Sequence, residues 1–179
     1  MYYSHSYASP IGPLLMASNG RHLVGLWMEG QKYFGGTVDE PLTPDSPRQE
    51  FKNASAWLDA YFSGKNPPLA DLPLAPNGTA FQQAVWRQLI KIPYGETTTY
   101  GAIADEVARE MKKASMSGQA VGGAVGHNPI SIIIPCHRVV GSSGSLTGYA
   151  GGLQKKLRLL ALEGVNTVKF FVPKKGTAL

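Results

Sequence analysis

The chain has 179 residues, 43% hydrophobic and 16% charged, with a formal net charge of +5, which fits an ordinary globular protein of one sizeable domain or two small ones. No apolar run reaches the ~18 residues that a membrane-spanning helix needs. The single cysteine excludes an internal disulfide and a cysteine-rich structural zinc site.

MYYSHSYASP has no basic segment leading into an apolar stretch, so no secretion signal is expected, and with the lone thiol this favours the cytoplasm. Charge divides the chain. Residues 1–78 hold five Lys/Arg and seven Asp/Glu, a net of −2, whereas residues 79–179 hold twelve and five, a net of +7. That asymmetry fits a polyanion-binding half joined to another module. Chance clustering of solvated lysines gives the same totals.

In chain order, YYSHSYAS (2–9), GPLLMAS (12–18) and HLVGLWME (22–29) read as strands. Asn19-Gly20 between the last two is a hairpin signal, because both residues tolerate positive φ. Residues 35–46, with Gly, Pro, Thr and Asp, read as loop. A helix is expected from Ser46, with Pro47 in its first turn, Phe51, Ala54, Leu58, Tyr61 and Phe62 at helical spacing, and Gly64 ending it. KNPPLADLPLAPNG (65–78) reads as an interdomain linker, since its prolines cannot continue a helix.

Thr79 and Gln82 form a capping box for a second helix, with Phe81, Val85, Trp86, Leu89 and Ile92 on one face and Pro93-Tyr94-Gly95 as the stop. A third is expected over 99–111, with Tyr100, Ile103, Ala104, Val107 and Met111 as its stripe. The polar connector KKASMSG leads to a short helix, GQAVGGAVG. Its glycines 122, 123 and 126 each cost up to about 1 kcal/mol against alanine. Either close approach of the helix to something bulky or tight helix–helix packing accounts for them. The pair reads as a helix-turn-helix in the basic half.

PISIIIP (129–135) reads as a buried strand ended by Pro135. GGLQKKLRLLALEG (151–164) reads as a helix packing Leu153, Leu157 and Leu160, with Leu159 nearby, and showing Lys155, Lys156 and Arg158 to solvent. TVKFFVPKKGTAL starts like a strand and ends in a basic tail.

Cys136 then falls at a strand end, where side chains reach a cleft. Taken alone it fits an inert packed thiol, and His137 a structural histidine. Glu163 changes that balance. It lies in the last turn of its helix, on the apolar side, where it meets the negative end of the helix dipole and risks burial without a partner. A histidine that it orients would explain it, giving a nucleophile–base–orienter chain of Cys136, His137 and Glu163. A frayed, solvated helix end is the alternative. Neighbours on an extended segment point to opposite sides, so His137 is expected to reach the thiol through a turn or a bridging water.

PCHRVVGSSGSLTGYAGGLQKKLRLLALEG resembles the active-site region of the O6-alkylguanine-DNA alkyltransferases (methylated-DNA–protein-cysteine methyltransferases). FQQAVWRQLIKIPYGETTTYGAIA and AVGGAVGHNPISIIIPCHRVV extend the resemblance upstream, and SPIGPLLMAS and LVGLWMEGQK resemble the family's N-terminal domain more loosely. The resemblance implies an α/β N-terminal scaffold domain over 1–75 (a small antiparallel sheet plus helix, RNase H-like). A mostly α DNA-binding and alkyl-acceptor domain over 76–179 follows, with a winged-helix-like helix-turn-helix.

The implied activity is direct-reversal DNA repair. An alkyl group moves irreversibly from O6 of guanine, or O4 of thymine, to Cys136 after minor-groove binding and base flipping. His137 is then the water-mediated base, Glu163 its orienter, Asn128 the tie between helix-turn-helix and active-site segment, and Tyr100 the hydroxyl donor to the leaving guanine. Without the resemblance, Asn128 reads as a turn residue before Pro129 and Tyr100 as helix-stripe core. Substrate contact is implied for Tyr149, Ala150 (serine in many relatives), Val139 and Gln119. DNA contact is implied for Gln119, Ala120, Gly122, Gly123, Arg138, Lys112 and Lys113. No metal or organic cofactor is implied. The implied partner is double-stranded DNA containing alkylated bases, and the implied state is a membrane-free monomer in the cytoplasm, or in the nucleus of a eukaryote.

Gln119 departs from the family pattern, which has an arginine that enters the base stack, and the connector REMKKASMSG is longer than usual. Glutamine lacks the charge and stacking plane of guanidinium. Lys112 and Lys113 are expected to compensate in part through phosphate contacts. Two other classes stay open at this level. One is a non-catalytic alkyltransferase-like lesion-binding protein, against which Cys136 argues. The other is a thiol hydrolase with the same Cys-His-Glu chemistry, for which nothing in the sequence predicts an acyl pocket.

Overall fold

The alternating N-terminus becomes three antiparallel strands, β1 (Tyr2–Ser9), β2 (Gly12–Ser18) and β3 (Leu23–Met28). Asn19 Oδ1 accepts from the backbone N–H of Arg21 and His22 at 3.1 and 2.9 Å, and Gly20 takes φ +92°, so Asn-Gly closes the β2–β3 hairpin as expected. The computed structural model describes residues 1–44 and 48–173. They fall into two units, Met1–Asn77 with Pro129–Ile133, and Gly78–Asn128 with Ile134–Leu179.

In the first unit, residues 42–44 are not loop. They form β4 (Leu42–Pro44), parallel to β1, and the sheet order β3-β2-β1-β4 is mixed where an antiparallel sheet was expected. Leu42 and Val38 pack on Ala17, Val24 and Trp27, and this burial outweighs the loop-like composition around them. Helix α1 (Gln49–Phe62) buries Phe51, Ala54, Leu58 and Tyr61. Its expected start at Ser46 and Pro47 lies outside the described residues.

The stretch 65–78 is tied down where a plain linker was expected. Trp57 Nε1 donates to Pro68 O at 3.1 Å. Leu23 N donates to Pro73 O at 2.8 Å, and Ala75 N to Leu23 O at 2.9 Å. Proline lacks a donor but its carbonyl still accepts, so a helix-breaking stretch can cover a strand edge.

Pro129–Ile133 joins the same strand, with Leu26 N donating to Pro129 O at 2.8 Å and Ser131 N to Leu26 O at 2.9 Å. PISIIIP is nevertheless not a strand. Only Ile130 forms a bridge, to Leu26, and Ile132 takes φ +71°. Ile133 N bonds Ser131 O and Cys136 N bonds Ile134 O, each at 2.8 Å and two residues back. These tight turns bury Ile130, Ile132, Ile133 and Ile134 together, whereas a strand would send alternate side chains to opposite faces.

The second unit is mostly helical. Helix α2 (Ala80–Ile90) carries the expected capping box, in which Thr79 Oγ1 accepts from Gln82 N at 3.2 Å and Gln82 Oε1 from Thr79 N at 2.9 Å. Helix α3 (Tyr100–Glu110) is capped by Thr99 and α4 (Gly118–Gly126) by Ser117. A Cβ on Gly118, Gly123 or Gly126 would meet no heavy atom within 4 Å, whereas Gly122 is buried. Gly122 is thus the buried glycine of the helix, while the other three have room for a Cβ. Strands β5 (Thr98–Thr99) and β6 (Val139–Val140) pair in parallel, which brings the start of α3 beside the segment that follows Cys136. Helix α5 (Leu153–Leu162) packs Leu160 against Val140 and Leu146, with Leu153 and Leu157 alongside. Phe171, at the expected strand-like C-terminal stretch, makes a single bridge to Ser145, and the basic tail from residue 174 lies outside the described residues. Among the described residues, no helix is long and apolar enough to cross a membrane.

Candidate active site

Cys136 opens a 3-10 turn, Cys136–Arg138, instead of ending a strand. His137 is fully buried, and its Nε2 lies 2.6 Å from Glu163 Oε1. Glu163 stands at the C-cap of α5 and is buried, as its place on the apolar stripe predicts, and several N–H groups reach its carboxylate. His137 Nε2 and Arg138 Nη2 (3.1 Å) reach Oε1; Arg138 Nε (2.8 Å) and Gly95 N (3.2 Å) reach Oε2. Gly95, at φ +78°, comes so near that a Cβ there would stand 3.0 Å from Glu163 O.

Arg138, expected among the DNA contacts, is only 8% exposed, and its Nη1 donates to Ile92 O at 2.6 Å. A guanidinium committed to these partners is not on offer to a phosphate. Charge in the sequence pointed outward; the partner that draws it inward lies 25 residues along the chain.

Burial pushes the Cys136 thiol up from its ordinary value, so the resting group is a thiol. The Asn128 amide, hydrogen-bonded to it, pulls the other way, followed by the Lys156 ammonium and the backbone N–H groups of Cys136 and His137. Asn128 Nδ2 also donates to Ile134 O at 2.8 Å, tying the end of α4 to the chain just before the thiol. Burial, countered by Glu163, holds His137 below its ordinary value.

Lys156 was expected in solvent and is wholly buried. Its Nζ donates to Val139 O at 2.6 Å and lies 3.4 Å from Thr147 O. Burial pushes it down to about 8. The burial of this residue was missed, although its signal was present. Positions 153, 156, 160 and 163 run along one helix face, so Lys156 sits on the same apolar stripe that singled out Glu163.

Tyr100, the first residue of α3, donates its hydroxyl to Thr147 O at 3.0 Å, and burial pushes it up to about 12. Cys136 adds to that rise, which places the phenol in the field of the thiol. Val139 and Tyr149 are buried, and Ala150 is half-buried. Lys112 and Lys113 are exposed beyond the end of α3, and Gln119 and Ala120 are exposed in the first turn of α4. Asn128 and Lys156 thus act on the thiol and Tyr100 feels it in turn, while His137, Arg138 and Glu163 form a bonded cluster that starts at the next residue along the chain.

A buried thiol followed in the chain by a histidine already coupled to a carboxylate fits a protein built around a cysteine nucleophile. The family model for the 6-O-methylguanine DNA methyltransferase ribonuclease-like domain matches residues 1–76, and that for the DNA-binding domain matches residues 80–165. The chain is 47% identical over 163 residues to a methylated-DNA–protein-cysteine methyltransferase of Mycobacterium bovis, covering 91% of this chain and 93% of the relative. It is 47% identical over 165 residues to a protein of that name from Methanosarcina acetivorans, covering 92% and 99%. The crystal structure of the Mycobacterium tuberculosis protein OGT in complex with DNA superposes with a TM-score of 0.77 at 44% identity, covering 94% of each chain. The chain belongs to the 6-O-methylguanine DNA methyltransferase family.

Proposed function

We propose that this protein repairs alkylated DNA by moving the alkyl group from O6 of guanine, and from O4 of thymine, onto Sγ of its own Cys136. The observation that carries the reading is a buried thiol one residue before His137, whose Nε2 lies 2.6 Å from Glu163 Oε1. With Nε2–H given to Glu163, the acceptor lone pair of the imidazole is on Nδ1. The thiol proton passes to it through a bridging water, as the sulfur attacks the alkyl carbon and the carbon–O6 bond breaks. The guanine keeps the electron pair of that bond and gains a proton from the Tyr100 hydroxyl, which is recovered from the imidazolium through solvent. A thioether is a poor leaving group, so each molecule acts once.

The target base must leave the duplex to reach a buried thiol, at a cost of about a few kcal/mol. The uncrowded Gly118, Gly123 and Gly126 suit close approach of α4 to a minor groove. Tyr149, Ala150 and Val139 line the base pocket. Gln119 fills the gap in the stack, and Lys112 and Lys113 contact phosphates. All groups come from one chain, which a monomer satisfies, and a reactive free thiol suits a reducing compartment such as the cytoplasm.

Intact mass after incubation with duplex DNA carrying O6-methylguanine tests this. One methyl group per protein, absent in Cys136→Ser, is expected. Binding without a mass change would replace the proposal with a lesion-binding role, and ester turnover would replace it with a hydrolase. Gln119→Arg is expected to raise the transfer rate; an equal or lower rate removes the stack-filling role of residue 119.

A further inference from the structure

Glu163 is shared between two side chains. His137 takes one oxygen at 2.6 Å, while Arg138 spans both through Nε at 2.8 Å and Nη2 at 3.1 Å. The third Arg138 nitrogen is held by Ile92 O at 2.6 Å, and its Cζ lies 5.7 Å from the Tyr94 ring centroid. A buried carboxylate whose only ionic partner was the histidine would favour the imidazolium, because an adjacent opposite charge stabilises the charged form. A group that must accept a proton has to be neutral at the working pH. Guanidinium carries a permanent charge, so it compensates Glu163 without a proton on His137. The other charged or titratable groups around this cluster are Lys156 on α5, Cys136 at the start of the turn, Tyr94 in the 91–97 loop and Tyr100 at the start of α3. Burial, Arg138 and Lys156 all disfavour the imidazolium, and Glu163 alone favours it.

We infer that Arg138 is a positioning residue for the proton transfer: it clamps Glu163 in the orientation that meets His137 and compensates its charge, so that the imidazole rests neutral, ready for the Cys136 proton. The inference rests on the alkyl-transfer reading and deepens it.

The test uses full-length wild type, Arg138→Gln and Arg138→Lys. Two quantities are read against pH, namely the single-turnover transfer rate and the protonation of the His137 ring by 15N NMR without DNA. In Arg138→Gln, the ring protonates at higher pH, and the acid limb of the rate profile moves up by about one unit or more, with a roughly tenfold lower rate on that limb. Arg138→Lys keeps a charge but loses the bidentate fork, and moves both in the same direction by less. Either folded variant decides the matter. A ring titration and an acid limb left in place, with the rate lowered evenly at all pH values, would overturn the inference in favour of a purely structural arginine. Absence of transfer by the wild type would reject the alkyl-transfer reading instead, and the NMR shift would still report on Arg138.

Discussion

The two units bury polar groups to different ends. In the N-terminal unit, Ser18 Oγ donates to Glu50 Oε1 at 2.6 Å and accepts from Gly20 N at 2.9 Å, fastening the end of β2 to α1. In the C-terminal unit, His137, Arg138, Lys156 and Glu163 are all buried, as is Cys136. A buried ion pair is no more stable than well-packed apolar residues of the same volume, and often less. The first arrangement is a fastening. The second is a concentration of charge that stability alone does not explain, at the place where perturbed proton affinities serve chemistry.

The largest expected break in this contrast is Glu163→Gln. It leaves Arg138 buried against a neutral amide, which costs about 3–5 kcal/mol, and it slows transfer roughly a hundredfold by disorienting His137. Urea unfolding and single-turnover assays read the two effects; unchanged stability would mean that the charge cluster does not hold the end of α5. Ser18→Ala is expected to cost about 1–3 kcal/mol with the transfer rate untouched. A slower rate would show that the fastening also serves the site.

Lys156→Met removes the ammonium from the thiol's surroundings and is expected to slow transfer about tenfold, equivalent to about 1.4 kcal/mol. Its effect on stability is smaller, because relief of a buried charge offsets the loss of the bond to Val139 O. A smaller effect still is expected from pH. Burial first of all holds His137 below 6.5, so between that value and its folded value the unfolded chain binds the extra proton. Stability therefore falls as pH drops below about 6.5, and His137→Asn removes this share of the loss in urea midpoints measured from pH 7.5 to 5. Gly123→Ala has room for its Cβ and should gain up to about 1 kcal/mol in helix stability while weakening DNA binding. Undiminished binding would dissociate that glycine from DNA.

The pairing of His137 with Glu163 was legible because a carboxylate on an apolar stripe asks for a partner. Lys156 sits on the same stripe but escaped notice. A lysine's long stem lets its charge reach water from a buried position, so periodicity does not decide where the ammonium ends. Arg138 was misassigned because its charge was legible and its partner was not. The isoleucine run of 130–134 has the composition of a strand, and nothing local announces positive φ at Ile132.

What the sequence by itself determined are features whose causes lie within about four residues: the Asn19-Gly20 hairpin, the Thr79–Gln82 box, the helical stripes and the thiol motif. Tertiary structure alone decided the parallel pairings of β1 with β4 and β5 with β6, the turns through 129–135, and the inward course of Lys156 and Arg138. The physical reason is separation along the chain. Parallel strands need long crossovers and carry no short-range turn signal. A buried charge, in turn, is set by whichever acceptor the fold brings to it: Val139 O 17 residues away for Lys156, and the Glu163 carboxylate 25 residues away for Arg138.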